Sequence, residues 1–364
     1  MDANARRRKR KKGDSASRSE TVAYMGGKDI RVEQLSPGVL KIRLPTPYKV
    51  GDVNAYIFIG KGCFDIIDPG CGSKPNLLLL EEVLSRFGLR LSHARRIFLT
   101  HGHEDHGGLS SEISAVSGAI ISLGPGDKDL FGTNVRNVFL SNRDGVMGRF
   151  HRLGFPKRDL GLLPGYFESR DYYKTPPGRA EGLRDGEYLT AGNTRLKVIA
   201  APGHTQGSVC YYLEEDEALF SGDTLIDHIT PNPGASIYND ILFRDEIDYN
   251  PLGIFLNTLN RLKDLGAKVA YPGHGKPVDS PKELINGYLD HHKKRLRQIL
   301  SSLDDGPLTC YDVSSIVFGN CGKIDEAVLQ VMEVYAHLIC LVEEGQVMDS
   351  LMDAGCRMYK RTGR

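Results

Sequence analysis

The sequence predicts an α/β (α+β) protein in which two β-sheets pack face to face beneath outer helices, followed by a small unit of two helices and a hairpin. Three observations carry this expectation. Short β-rich runs occur at both ends of a long first segment, each half of that segment closes with a helix, and beyond residue 303 the order becomes helix, helix, hairpin. At 364 residues and 40% hydrophobic content, the chain can form one large cored body with an appendage. The expected boundaries are a basic tail over 1–20, a main body over 21–285 with an insertion at about 127–184, and a linking helix with a small domain over 286–364.

From Ile30 to Asp68 the pattern is a strand meander: Leu40–Leu44, Ala55–Ile59 and Cys63–Ile67, with Lys61-Gly62 as a turn between the last two. Ser73 and Pro75 open a helix that runs to Phe87, and Gly88 stops it. Arg96–Leu99 is a short buried strand, and Ala119–Ile121 is another. The segment 127–184 is helical only in pieces and rich in Arg, Gly, Pro, Phe and Tyr, as expected of a lid or binding insertion. Alternation resumes at Tyr188 and continues through Leu196–Ile199, Val209–Leu213 and Ala218–Phe220. A helix over Leu252–Leu265 and a strand at Val269–Tyr271 close the body. Pro281 to Leu303 reads as one amphipathic helix, Thr309 as the cap of a short one, Asp325–Glu343 as a longer one, and Gln346–Arg361 as a hairpin turning at Asp353-Ala354-Gly355.

Charge is unevenly spread: residues 1–20 carry a net +5, and the remainder a net −4. The run Arg6–Lys12 cannot bury apolar surface and is expected to be a solvated tail. No apolar run has the length of a membrane span, and no apolar stretch follows the basic start as it would in a secretory signal. Seven scattered cysteines, odd in number and without ligand spacing, read as reduced thiols. The expectation is a cytoplasmic protein without a membrane partner, of open oligomeric state.

The chemistry concentrates in His101-x-His103-x-Asp105-His106, four metal-competent side chains in six residues on a loop leaving a strand. Alternate residues point the same way, so His101 and His103 can grip one ion while Asp105 and His106 turn toward a second. Three later segments repeat one design, in which a strand ends, glycine permits a tight turn, and a ligand follows. They are Ala201-Pro202-Gly203-His204, Phe220-Ser221-Gly222-Asp223 and Tyr271-Pro272-Gly273-His274.

These motifs resemble the metallo-β-lactamase superfamily, specifically its glyoxalase II-like branch, from about Val32 to Val278. Ile67-Asp68-Pro69-Gly70 looks like the family's aspartate-containing turn beneath the site. The resemblance implies an αββα sandwich with two ions at one sheet edge. It assigns His101, His103 and His204 to the first ion, Asp105, His106 and His274 to the second, and Asp223 as the bridge. The end of the chain more loosely resembles lactamase-like hydrolases that carry a winged-helix appendage.

Two divalent cations lower the pKa of a shared water from about 15.7 toward about 7, so hydroxide becomes available at neutral pH, with Asp105 orienting it. Zinc suits the His-rich set, and its carboxylates also admit iron or manganese. The expected activity is metal-dependent hydrolysis of a small-molecule acyl thioester or ester. The alternative is an endoribonuclease or phosphodiesterase acting on single-stranded RNA, engaged through the basic tail and the last domain. Substrate contacts are expected from His228 and Asn232 on the loop after Asp223, and from Arg149 and Tyr166 in the insertion. His291 and His292, adjacent on the linking helix, point a quarter-turn apart and read as an interdomain or solvated face.

Overall fold

A computed structural model of the protein describes residues 20–25, 28–128, 131–170, 180–234, 240–242, 244, 246–351 and 355–363. The basic run at 6–12 and the turn residues Asp353 and Ala354 lie outside them.

The first sheet takes its strands in chain order: β1 (Glu20–Met25), β2 (Lys28–Ser36), β3 (Val39–Leu44), β4 (Val53–Ile59), β5 (Phe64–Ile67), β6 (Ala94–Phe98), β7 (Ile120–Leu123) and β8 (Ala180–Gly182). Pairing is antiparallel as far as β5 and parallel from β5 to β8. The parallel steps need crossovers: α1 (Lys74–Arg86) lies between β5 and β6, α2 (Glu104–Gly107) and α3 (Ser110–Ser117) between β6 and β7, and the insertion between β7 and β8. Ser73 caps α1 by accepting from the Asn76 amide, and Pro75 sits in its first turn, where a missing N–H costs nothing.

The second sheet holds β9 (Tyr188–Ala191), β10 (Thr194–Ala200), β11 (Val209–Leu213), β12 (Ala218–Gly222) and β13 (Val269–Pro272), ordered β13-β12-β11-β10-β9. Its one parallel pair, β12 with β13, is bridged by α8 (Pro251–Leu265), which Asn250 caps.

Strand alternation builds the layers. On β4, Ala55 and Ile57 face outward and pack with Leu80, Val83 and Leu84 of α1, whereas Tyr56 and Phe58 face the second sheet. There they meet Phe220, with ring centroids 4.9 Å and 5.3 Å away in edge contact. The far face of the second sheet, Ile199 and Leu219, is covered by Phe255 and Leu259 of α8 and by Ile285 and Tyr288 of α9 (Pro281–Ser302). The body is therefore an αββα sandwich.

The insertion contains α4 (Val135–Ser141), α5 (Arg143–Arg152), α6 (Lys157–Leu160) and α7 (Leu163–Glu168). The last unit contains β14 (Leu308–Thr309), α10 (Cys310–Phe318), α11 (Ile324–Glu343), β15 (Val347–Leu351) and β16 (Arg357–Arg361), with strand order β14-β16-β15. These two segments, well separated in sequence, share one core with the end of α9: Phe150, Leu163 and Phe167 pack with Ile299 of α9 and with Val313, Val331 and Tyr359. Backbone contact reinforces it, since the Tyr311 amide donates to the Leu153 carbonyl at 2.9 Å. No helix among the described residues is long and apolar enough to cross a membrane.

Candidate metal centre

Each ligand follows the C-terminal end of a strand. β6 delivers His101 and His103 and the start of α2, which carries Asp105 and His106. β10, β12 and β13 deliver His204, Asp223 and His274. Both sheets thus end at one edge of the sandwich, and β4 holds them there. The Asn54 amide donates to the Gly273 carbonyl at 2.7 Å, while its side chain and the Tyr56 hydroxyl both donate to the Pro272 carbonyl.

The donor atoms converge. His103 Nδ1 stands 2.9 Å from His101 Nε2 and 3.2 Å from His204 Nε2. On the other side His274 Nε2 lies 3.3 Å from Asp105 Oδ2, and His106 Nε2 lies 3.9 Å from that oxygen. Asp223 reaches both groups: Oδ1 is 3.4 Å from His106 Nε2, while Oδ2 is 3.8 Å from His204 Nε2 and 3.6 Å from His274 Nε2. Ligand atoms about 2.0–2.2 Å from a zinc ion stand about 3.3–3.6 Å apart in a tetrahedron, so these spacings suit two cations flanking Asp223. His106 Nε2, His274 Nε2 and Asp223 Oδ1 are buried with no hydrogen-bond partner among the described residues. Buried polar atoms left this way are costly unless something else engages them, and two divalent cations would engage all three.

Electrostatics agrees with that fit. Burial and the neighbouring histidines push His101 below its ordinary value, and burial with His103 brings His204 down to about 3, so both rings are neutral donors at neutral pH. Around His106 burial is outweighed by the carboxylates of Asp223, Asp105 and Asp68, which hold it above its ordinary value.

A supporting layer fixes the rings. Asp68, in the left-handed region at φ 51°, accepts from the Thr100 amide at 2.8 Å and hydroxyl at 2.7 Å, and its Oδ2 lies 2.9 Å from His106 Nδ1. The Asp52 carbonyl accepts from His274 Nδ1 at 3.0 Å. Such partners set which ring nitrogen is free for a metal. Asp127 does comparable work for the first group and escaped sequence reasoning. Buried in the turn after β7, it accepts from the Gly102 amide, the Thr205 hydroxyl and the Gly207 amide, tying the His101–His103 loop to the His204 loop.

The four expected substrate contacts are placed differently from one another. His228 sits at the rim, its Nε2 3.1 Å from the Val50 carbonyl, beside Gly275, the residue after His274. Asn232 donates to the Leu329 carbonyl of α11 and accepts from the Gly234 amide, so it ties this loop to the last unit. Arg149 is buried and donates to the carbonyls of Ile241 and Leu242. Tyr166 is buried beside Phe167, with the Arg170 guanidinium 4.1 Å from its ring centre. Two rim contacts not anticipated are the Tyr48 hydroxyl on Glu104 at 2.6 Å and the Lys49–Glu326 ion pair, which joins the loop after β3 to α11.

Comparison with known proteins gives the same picture. The Metallo-beta-lactamase superfamily profile matches residues 48–274. The probable metallo-hydrolase YqjP of Bacillus subtilis (strain 168) is 27% identical over 316 residues, which span 84% of this chain and 92% of that protein. An atrochrysone carboxyl ACP thioesterase of Paecilomyces divaricatus is 27% identical over 295 residues, 79% of this chain and 72% of that one. A metallo-beta-lactamase family protein from Thermus thermophilus superposes with a TM-score of 0.74 at 30% identity, over 90% of this chain and 100% of the other. Because the matched region runs from the loop before β4 to the last ligand, His274, the chain belongs to the metallo-beta-lactamase superfamily and is one of its metallo-hydrolases.

Proposed function

We propose that the protein hydrolyses a small-molecule acyl thioester or ester at a two-cation centre, most suitably zinc. The observation that carries this reading is the Asp223 carboxylate lying between two clusters, His101 with His103 and His204, and Asp105 with His106 and His274. When bound, such a pair of cations supplies hydroxide at neutral pH and polarises the substrate carbonyl. The protein's own residues do the rest. His101, His103 and His204 hold one cation, and Asp105, His106 and His274 the other. Asp105, with one oxygen turned to His274, takes up and orients the proton of the attacking water. His228 on the rim contacts the substrate, with Asn232, Arg149 and Tyr166 as the further substrate contacts of this reading. The Gly-ligand spacing supports a glyoxalase II-like relationship, and the likeness to a carrier-protein thioesterase supports the acyl thioester. We read the last unit, with its helix, helix, hairpin order, as winged-helix-like.

Purified protein is expected to hold close to two metal ions per chain and to cleave an acyl-thioester panel in a chelator-sensitive way. Asp105→Ala should lower that rate by about 10²–10⁴-fold with the fold intact by circular dichroism. Protein that leaves every thioester and ester untouched, but cuts single-stranded RNA with activity falling as salt rises, would establish the nuclease alternative instead.

A further inference from the structure

His274 sits in a turn that one buried side chain grips from both ends. Asn54, the second residue of β4, is fully buried. Its Nδ2 donates to the Pro272 carbonyl at 2.9 Å and to the Gly275 carbonyl at 3.1 Å, so its two N–H groups close on either side of His274. Its backbone N–H takes the Gly273 carbonyl at 2.7 Å. The preceding residues extend the grip: Val53 pairs with His274 across an antiparallel bridge, and the Asp52 carbonyl accepts from His274 Nδ1. The same turn reaches the carboxylate between the two clusters, since the Gly273 amide donates to the Gly222 carbonyl at 2.8 Å, one residue before Asp223.

The position calls for an amide. Asn54 Oδ1 is buried with no hydrogen-bond partner among the described residues, so the two donors alone place the side chain. Turned over, it would set its oxygen against two carbonyl oxygens, and only one orientation survives. A buried oxygen without a partner is costly, and what the residue secures in exchange is the place of the turn. The loops of His101, His103 and His204 are braced by a different residue, Asp127. We propose that Asn54 is a positioning residue for the second cation alone: by fixing the turn on both sides of His274, it governs occupancy of the Asp105, His106 and His274 group and leaves the first group unaffected. The assignment rests on the two-cation reading of the proposed function.

The full chain is compared as wild type, Asn54→Leu, Asn54→Ser and Tyr56→Phe. Leucine keeps the approximate shape of the amide and removes both donors, whereas serine keeps one. Tyr56→Phe deletes another buried hydrogen bond to the same Pro272 carbonyl, on one side of His274 only. Zinc competition with a chromophoric chelator is expected to find one cation of Asn54→Leu held as in wild type and the other weakened by about 10–100-fold, with Asn54→Ser between. In zinc-loaded Asn54→Leu carrying isotope-labelled histidine, the ring signals of His106 and His274 should return toward their metal-free positions, while those of His101, His103 and His204 stay in place. Tyr56→Phe should melt at lower temperature yet keep both cations. Equal weakening of both cations overturns the assignment, as does wild-type affinity in both Asn54 variants or a second cation lost as fully from Tyr56→Phe. Amide hydrogen exchange in metal-free protein tests the grip apart from the cations: the Gly273 amide should exchange about tenfold faster in Asn54→Leu than in wild type. An unchanged exchange rate overturns the positioning role even where zinc binds. Wild type that takes up no second cation instead overturns the two-cation reading, and with it the role of Asn54 in occupancy.

Discussion

At the scale of single residues, the centre depends on atoms that hold ligands as much as on the ligands themselves. Asp127 uses one carboxylate to brace both loops of the first group, so Asp127→Asn, which replaces one acceptor oxygen with a donor, breaks part of that brace. Metal competition with a chromophoric chelator should find one of the two sites weakened by about 10–100-fold and the other close to wild type. Gly273 is a different case: a Cβ there would run into the Asp223 carboxylate and stand 2.6 Å from His106 Cε1. Gly273→Ala is expected to lose most of both metals by elemental analysis, because the displaced side chains serve both groups. The seven candidate ligands that converge here were legible in the sequence because cation chemistry restricts residue type and the glycine-ligand turns recur. Asp127 was not, since a carboxylate accepting backbone N–H groups leaves no spacing signature. The carbonyl partners of Arg149 were illegible for a related reason: an arginine's spacing says nothing of the Ile241 and Leu242 carbonyls to which it donates.

At the scale of elements, the joint between α9 and α11 holds a buried pair of histidines. The Glu333 carbonyl can only accept, so His337 carries its proton on Nδ1, 2.7 Å away. His337 Nε2 must then accept from His292 Nδ1 at 3.1 Å, which leaves His292 Nε2 a bare acceptor with no partner among the described residues. Facing the pair are Phe255 of α8, His291 and Arg295 of α9, and Glu333 of α11. Burial, helped by the neighbouring ring, lowers His292 to about 2, and burial lowers His337 to about 4. Both folded values lie below the unfolded value of about 6.5, so the unfolded chain binds more protons over that window. Stability is therefore fully present above about pH 6.5 and falls as the pH drops toward the folded values, by up to about 1.4 kcal/mol per histidine per pH unit. The melting temperature should fall measurably from pH 7 to pH 5, and His292→Leu should flatten that slope. Helix positions were readable here, since Ser73, Asn250 and Thr309 cap helices through their own side chains. Strand β14 was not, because two residues are too few to show alternation, and only pairing with β16 defines it.

At the scale of the whole molecule, most strands of the sandwich could be read from β-rich runs, but β1 precedes the expected meander and β8 falls inside the expected insertion, and the partnership between insertion and last unit could not be read at all. Each segment has an apolar face, and a pattern of apolar positions says that a face must be covered without saying by what. The structure answers with one core that joins residues 139–167 to residues 299–359. A chain ending at residue 285 should therefore bind a hydrophobic dye and melt at lower temperature than the full chain, even though every metal ligand is present. A well-folded, dye-silent truncation would show that the insertion is covered some other way.

That shared core also sets an order of events at the ribosome. Phe139, Phe150 and Phe167 leave the exit tunnel more than a hundred residues before Ile299, Val313 and Tyr359, which cover them. Synthesis proceeds at about 5–20 residues per second, so these rings wait for many seconds without their native neighbours. Productive maturation in the cell then depends on protection of the nascent insertion, and yield should respond to translation speed and to holding chaperones more strongly than the stability of the finished protein would suggest.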